Sequence, residues 1–95
     1  MQALVDIGGL ITSGQQRESG RPVVAGTNTS VHCIAALYKQ GYSADDIVED
    51  KDYLTLAQVY AALAYYFANQ EAIETDLAED IAEYGRLARQ QVEVP

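Results

Sequence analysis

Residues 55–69, TLAQVYAALAYYFAN, constrain the fold more than any other stretch, because they read as a helix that is apolar on nearly every side. A helix of that kind is typical of a protein interior. We therefore expect a central helix that packs on the other helices with one side and on the C-terminal helix or a partner with the other. One side carries Leu56, Val59, Tyr60, Leu63 and Phe67, and the opposite side carries Ala57, Ala61, Ala64, Tyr65 and Ala68.

Polar caps and glycines mark the other helices of this core. Thr29 or Ser30 can cap a helix over about residues 30–40, and Gly41 ends it because glycine takes the left-handed conformation without steric cost. Two later helix starts combine an N-cap hydroxyl with an acid or amide three positions on, which is the capping-box pattern. These pairs are Ser43 with Asp46, opening a short helix to about Asp50, and Thr55 with Gln58, opening the central helix.

Residues 70–92 form a further strongly helical stretch. Acids dominate its start and arginines lie near its end, an arrangement that suits the helix dipole. Gly85 predicts a kink or a point of close approach. The apolar positions that follow helical spacing are Ile73, Leu77, Ile81, Tyr84 and Ala88.

The N-terminal part predicts a small β-element. Residues 9–14 and 22–26 are short β-favouring runs bounded by glycine and proline, and they could pair as a hairpin. The order of the three core helices is that of a helix-turn-helix, in its homeodomain-like form. The prediction is a mainly α single domain over residues 1–95, with strands and loop at 1–27, a three-helix core at 28–69 and an amphipathic C-terminal helix at 70–92.

Charge is distributed unevenly along the chain, whose formal net charge is -8. Residues 1–42 carry three basic side chains against two acids, whereas residues 43–95 carry twelve acids against three basic side chains. Nucleic-acid binding draws much of its affinity from basic side chains, so the acidic half disfavours it. A small acidic protein is better suited to a basic protein partner.

Cysteine usage and hydropathy favour a cytoplasmic location. Cys33 is the single cysteine, so an internal disulfide is excluded. No apolar run approaches the roughly 18 residues of a membrane helix, and the N-terminus lacks the basic region of a signal peptide. We expect no membrane partner.

The junction GTNTSVHC, residues 26–33, is the place to look for a catalytic or ligand site. A Gly-Thr pair can cradle phosphate, but no second glycine or lysine follows at P-loop spacing, so a strand-to-helix turn is favoured. His32 and Cys33 have no partner at metal-ligand spacing. We expect His32 to be partly exposed and Cys33 to be a small core residue. The sequence thus predicts no catalytic, cofactor or metal site, and no enzyme.

Residues 20–67 carry a dense set of ordered motifs: Gly-Arg-Pro-x-Val-x-Gly-Thr, a Gly-Tyr-Ser turn, an acidic helix with an isoleucine, and Leu-Thr ahead of the central helix. With these motifs the chain resembles the bacterial family labelled domain of unknown function 433. The resemblance implies a compact helix-turn-helix-like fold and the antitoxin half of a type II toxin–antitoxin pair, often with a toxin that resembles the PIN nucleases. Asn28 departs from the pattern, because the family usually has arginine there. The matching positions are Gly20, Arg21, Pro22, Val24, Gly26, Thr27, Val31, Ile34, Gly41, Ser43, Ile47, Leu54, Thr55, Val59, Ala62, Leu63 and Tyr65.

The first hypothesis for function is an antitoxin-like binding protein that docks its acidic, partly apolar C-terminal helix into the basic cleft of a nuclease-like toxin. Solvated helix faces are the simpler interpretation of the same acids. The seven tyrosines favour a buried interface, and we expect a homo-oligomer, in particular a dimer. The candidate anchors are Ile73, Leu77, Ile81 and Tyr84, and the candidate charges are Glu74, Asp80 and Glu83.

Two alternatives remain open. The chain could be a DNA-binding autoregulator of helix-turn-helix type, in which case its contacts would come from Arg17, Arg21 and Lys39. It could instead be a structural or oligomerisation module. The central helix is not expected to read bases, since a helix that is apolar on nearly every side is typical of a protein interior.

Overall fold

The computed structural model describes residues 7–14 and 20–92 and has the mainly α fold that the sequence predicts. Within those residues, four helices follow a two-stranded antiparallel sheet, and the last helix is the longest at 23 residues. The elements are a 3-10 turn at Ile7–Leu10, β1 at Ile11–Gly14, β2 at Gly20–Val24, α1 at Val31–Lys39, α2 at Ala44–Asp50, α3 at Leu56–Ala68 and α4 at Gln70–Val92.

The two strands form the predicted hairpin, with Ile11 of β1 opposite Val24 of β2. β1 begins two residues later than predicted and β2 begins two residues earlier. Arg21 is therefore part of a strand rather than of the preceding loop. Gly26, whose φ is 78°, then turns the chain toward α1, and glycine adopts that backbone conformation without strain.

Side-chain caps set where the helices of the core begin. Ser30 caps α1 by accepting a hydrogen bond from the Cys33 amide at 3.0 Å. Thr29, the other candidate cap, is buried, and its hydroxyl lies 2.6 Å from that of Tyr53. Both predicted capping boxes are present, one at α2 and one at α3. Gly41, with a φ of 104°, follows the end of α1, so local residues define these helix ends as predicted.

The hydrophobic core lies between α1, α2 and α3. One residue of β2, Val24, and one residue of α4, Ile73, complete it from outside the three-helix unit. Ile34, Ile47 and Val59 are among its largest fully buried side chains. The core cluster consists of Val24, Val31, Ile34, Ala35, Ala44, Ile47, Leu54, Val59, Ala62, Leu63, Tyr66 and Ile73.

Within its own chain, α3 is buried on one side only, and the predicted apolar stripe does not mark that side. Tyr60 and Phe67, which the sequence assigns to the packed stripe, are 57% and 50% exposed. Because alanine is tolerated both inside and outside a protein, periodicity alone does not show which side of such a helix faces the core. The side that does face the core carries Val59, Ala62, Leu63 and Tyr66.

The predicted exposure of two neighbouring residues is reversed. His32 is 4% exposed, whereas Cys33 is exposed. The inward face of α1 is formed by Val31, Ile34 and Ala35. His32 lies at the edge of that face, where α4 covers it, and Cys33 is rotated about 100° further around the helix, away from the core.

Candidate protein interaction surface

The first half of α4, residues 70–80, packs on the core of its own chain. Ile73 is 3% exposed and belongs to the core, and Leu77 is half-buried against it. The sequence predicts both as anchors for a partner. In this fold they hold α4 to the core helices instead, so Ile73 does not present its side chain to another protein.

Glu74 lies in a polar cluster between α4 and the core. Its carboxylate accepts a hydrogen bond from the hydroxyl of Tyr66 and one from the side-chain amide of Gln70, the latter at 3.0 Å. The Lys39 ammonium is 3.9 Å away. The hydrogen bond from Tyr66, followed by that from Gln70, lowers the pKa of Glu74, and the same bond to Glu74 raises the pKa of Tyr66. Glu74, a candidate charge for partner binding, is therefore hydrogen-bonded within its own chain.

The ring of His32 bonds to a second acid of α4. Its Nε2 lies 2.9 Å from a carboxylate oxygen of Asp76, and the His32 side chain is 5% exposed against 41% for Asp76. Because an ionised carboxylate only accepts hydrogen bonds, Nε2 is the donor. The other ring nitrogen, Nδ1, is buried without a hydrogen-bond partner in the described part of the chain. Asp76 thus satisfies the polar edge of a buried ring.

Arg21 of β2 forms a two-pronged ion pair with Asp80 of α4. The two terminal nitrogens of the guanidinium lie 2.9 and 3.0 Å from the two carboxylate oxygens, in the bidentate geometry that these groups favour. Mainly through these hydrogen bonds, the pKa of Asp80 is lowered and the pKa of Arg21 is raised. The pair connects the hairpin to α4. We call Ile73, Glu74, Asp76, Leu77 and Asp80 the α4 clasp.

The basic residues considered for DNA binding lie beside acids of the same chain. Arg21 is paired with Asp80, and Lys39 lies near Glu74. Arg17 lies outside the described residues. A nucleic-acid phosphate would have to compete with these carboxylates for the same side chains. The fold thus brings two of the candidate DNA contacts together with two of the candidate partner contacts.

The second half of α4, residues 81–92, continues past the core, and its large apolar side chains between residues 81 and 87 are exposed. Ile81 is 73% exposed, Tyr84 is 75% exposed and Leu87 is 52% exposed. We call these three residues the α4 ridge. At 3.6 residues per turn, the ridge continues the same stripe that the apolar residues of the clasp begin. Large apolar side chains grouped on an exposed helix face mark a candidate interaction surface.

The sequence prediction does not include Leu87, because the predicted apolar pattern continues from Tyr84 to Ala88. The position of Leu87 three residues after Tyr84 is the signal that identifies it. Between these two, Gly85 does not interrupt α4, and a Cβ there would meet no atom of another described element within 4 Å. Within the described part of the chain nothing packs closely on Gly85, and the ridge is one continuous helix face.

Two exposed acids, Glu79 and Glu83, lie beside the start of the ridge. They belong to the six acids of residues 70–92, and the two arginines of this helix follow at positions 86 and 89. An amphipathic helix with an apolar ridge and an acidic flank fits an apolar groove bordered by basic side chains. In the described part of the chain, neither α4 nor another helix combines the length and the apolar character needed to cross a membrane.

The polar groups of the Gly-Thr junction form hydrogen bonds within the turn itself. The Thr27 hydroxyl donates to the Val24 carbonyl at 2.9 Å and accepts from the Thr29 amide at 3.1 Å. These bonds support the interpretation as a strand-to-helix turn, in which Asn28 is exposed. Among the residues that the structure describes, no group of three or more His, Cys, Asp or Glu side chains is placed to hold a metal ion.

Comparison with known proteins places the chain in a family. No curated protein and no solved structure gives a significant match. The model of a family described as "Protein of unknown function (DUF433)" matches residues 11–66, which is more than half of the 95 residues. The matched region runs from β1 into the last turn of α3, so α4 with its clasp and ridge follows it. The chain belongs to the DUF433 family.

Proposed function

We propose that this protein is a cytoplasmic, antitoxin-like binding protein that neutralises a basic, nuclease-like toxin by docking α4 into it. The observation that carries the proposal is the α4 ridge, in which three large apolar side chains share one exposed helix face beside acids. The resemblance to a family of predicted antitoxins points in the same direction. The family description names no function, so the proposal depends on this surface.

The ridge offers apolar surface that a partner could bury. Burying one large apolar side chain fully is worth about 1.5–3 kcal/mol. The clasp lowers the entropic cost of binding. It holds the first half of α4 on the core, so less of the helix has to become ordered when the partner binds. A partner groove would therefore meet a helix whose start is already in place.

The acids beside the ridge indicate the chemistry of the partner. A nuclease cleft holds nucleic-acid phosphates with basic side chains, and the carboxylates of Glu79 and Glu83 could occupy those side chains in place of phosphate. Glu74 and Asp80 are engaged within the chain. The contacts that we propose are therefore the ridge together with Glu79 and Glu83, a smaller set than the sequence suggests.

Binding to the product of the neighbouring reading frame tests this proposal. The tagged chain is coexpressed with the protein encoded beside its gene, and the affinity of the purified components is measured by calorimetry. We expect a stable complex with a basic product. The double variant Ile81→Ala/Tyr84→Ala should bind at least about 30-fold more weakly, because central apolar anchors dominate binding energy in most interfaces.

The matched control is Tyr42→Ala. Tyr42 is 48% exposed and lines a cleft with residues of α1 and α2 rather than of α4. This variant should bind as the wild-type chain does. Failure to form any complex with a basic product, or an affinity that the ridge variant leaves unchanged, would overturn the proposal.

A DNA-binding autoregulator is the second candidate, favoured by the helix-turn-helix-like order of α1, α2 and α3. If it is correct, Asp80→Ala should strengthen DNA binding, because it frees Arg21 from the ion pair. Gel-shift titration with the promoter of the gene, begun at low salt, is the measurement. A shift that this variant strengthens would favour the second candidate. Absence of a shift with both wild type and variant would dispose of DNA binding by the isolated chain.

A further inference from the structure

A second uncovered apolar surface lies on α3, on the side away from the core. Tyr60 is 57% exposed and Tyr65 is 38% exposed. Alanines occupy the helix surface between these tyrosines, and a groove of about 640 Å³ runs along them beside Ile11. We call this surface the α3 face. It comprises Ile11, Ala57, Tyr60, Ala61, Ala64 and Tyr65.

The α3 helix carries no charge on a strongly acidic chain. Residues 53–70 contain no Asp, Glu, Lys or Arg, whereas the net charge of the whole chain is -8. The acids concentrate on α2 before this stretch and on α4 after it. A basic partner is drawn to those acidic surfaces by long-range attraction. The α3 face has no such attraction to offer, so it suits an uncharged surface.

A second copy of the chain provides a matching uncharged surface. In a two-fold dimer the same patch of each copy meets itself, and like charges placed opposite each other destabilise the interface. The acidic faces of α2 and α4 would repel their own copies, whereas the α3 face would not. Tyrosine is also among the side chains that are enriched in protein interfaces.

We propose that two copies of this chain form a two-fold dimer through their α3 faces. Ala57, Ala61 and Ala64 share one side of the helix and allow a second helix to approach closely. Tyr60 of one copy then fills the groove beside Ile11 of the other. This proposal is independent of the function proposed for α4, since its surface lies on another helix and its test needs only the purified chain.

Sedimentation equilibrium of the purified full chain tests the dimer. The wild-type chain should sediment as a dimer. Ala64→Glu places two like charges in the interface and should raise the Kd of the dimer at least about 100-fold, leaving mostly monomer. Ala78→Glu is the matched control, because Ala78 is an exposed alanine of α4, and this variant should remain a dimer.

Circular dichroism separates loss of the dimer from loss of the fold. Glutamate is a good helix former and Ala64 is exposed, so the Ala64→Glu variant should keep its helix content. Should it fail to fold, Tyr60→Ser replaces it and should also weaken the dimer. A wild-type chain that sediments as a monomer, a dimer that neither variant weakens, or equal weakening by Ala78→Glu would overturn the proposal.

Discussion

The two halves of α4 carry one apolar stripe, but only the first half has it covered. Ile73 in the first half is 3% exposed, whereas Tyr84 in the second half is 75% exposed. The helical period of the stripe is the same in both halves. The difference in exposure therefore depends on whether other parts of the chain pack against the stripe. Among the residues that the structure describes, the core and its polar links reach only as far as Asp80. An apolar stripe that continues beyond the core of its own chain indicates a surface for another molecule.

The acids of α4 also fall into two groups. Asp76 and Asp80 are bonded to His32 and Arg21. Glu79 and Glu83, which lie before and after Ile81, are exposed. Acids that satisfy groups of their own chain serve to position the helix, whereas exposed acids can serve a partner. The sequence predicts Glu74, Asp80 and Glu83 as charges of one binding surface, whereas the structure places Glu74 and Asp80 in the clasp and Glu83 beside the ridge.

The largest expected effect distinguishes two isoleucines of the stripe. Ile73→Ala removes a buried core side chain and should lower the free energy of unfolding by about 2–5 kcal/mol. Ile81→Ala removes a side chain that is 73% exposed and should change that free energy by less than about 0.5 kcal/mol. Urea denaturation followed by circular dichroism measures both. Similar losses for the two variants would show that the stripe is covered along its whole length.

Removal of the acid that bonds the buried histidine should have the next largest effect. Asp76→Ala leaves Nε2 of His32 without its acceptor and should lower the free energy of unfolding by about 1–2 kcal/mol, near the lower end of the usual cost because water can reach this edge of the site. Glu83→Ala is the matched control and should have little effect on stability. If both variants unfold at the same urea concentration, the His32–Asp76 bond does not hold the clasp.

The ion pair between Arg21 and Asp80 should contribute less. Both side chains are partly exposed, at 31% and 47%, so a double-mutant cycle with alanine at each position should give a coupling of about 0.5–1 kcal/mol. The coupling should shrink as salt is added, because exposed charges are screened. A coupling of zero at low salt would mean that the hairpin is not anchored to α4 by this pair.

The smallest expected effect is a change in the pH dependence of stability. Folding lowers the pKa of Glu74 through its bond from Tyr66, and that of Asp80 through its bonds from Arg21. A carboxyl group with a lower pKa in the folded state stabilises the fold above its unfolded pKa, which is about 4, and this contribution is lost as the pH falls through the folded pKa. Wild-type stability should therefore decline below about pH 4.

Replacing the two clasp carboxylates isolates their share of that decline. The variant Glu74→Gln/Asp80→Asn should lose less stability than the wild type between about pH 7 and about pH 3, as measured by urea midpoints. Glu83→Gln should retain the decline of the wild type. Identical pH profiles for all three chains would show that the clasp carboxylates are not the groups that titrate with folding.

The features of the fold that depend on neighbouring residues could be predicted from the sequence. The capping boxes at α2 and α3 lie within four consecutive residues, and each determines its helix start locally. The glycine after α1 and the start of α4 directly after Asn69 are equally local. The overall mainly α architecture follows from these signals.

The features that depend on distant residues could not be predicted. His32 and Asp76 are 44 positions apart, and Arg21 and Asp80 are 59 positions apart, so no spacing rule connects either pair. The sequence does not predict which side of α3 is buried either, because alanine and tyrosine occur on both sides of that helix. The division of α4 into clasp and ridge follows from these same long-range contacts.

Amide hydrogen exchange across α4, measured with and without the product of the neighbouring reading frame, tests the central claim most directly. In the free chain, exchange should be slow in the clasp and fast in residues 81–92. In the complex, exchange should slow in residues 81–87 and change little in the clasp, which its own chain already covers. Slowing confined to the clasp or to α3, with residues 81–87 unchanged, would contradict the claim that the α4 ridge is the surface that binds the partner.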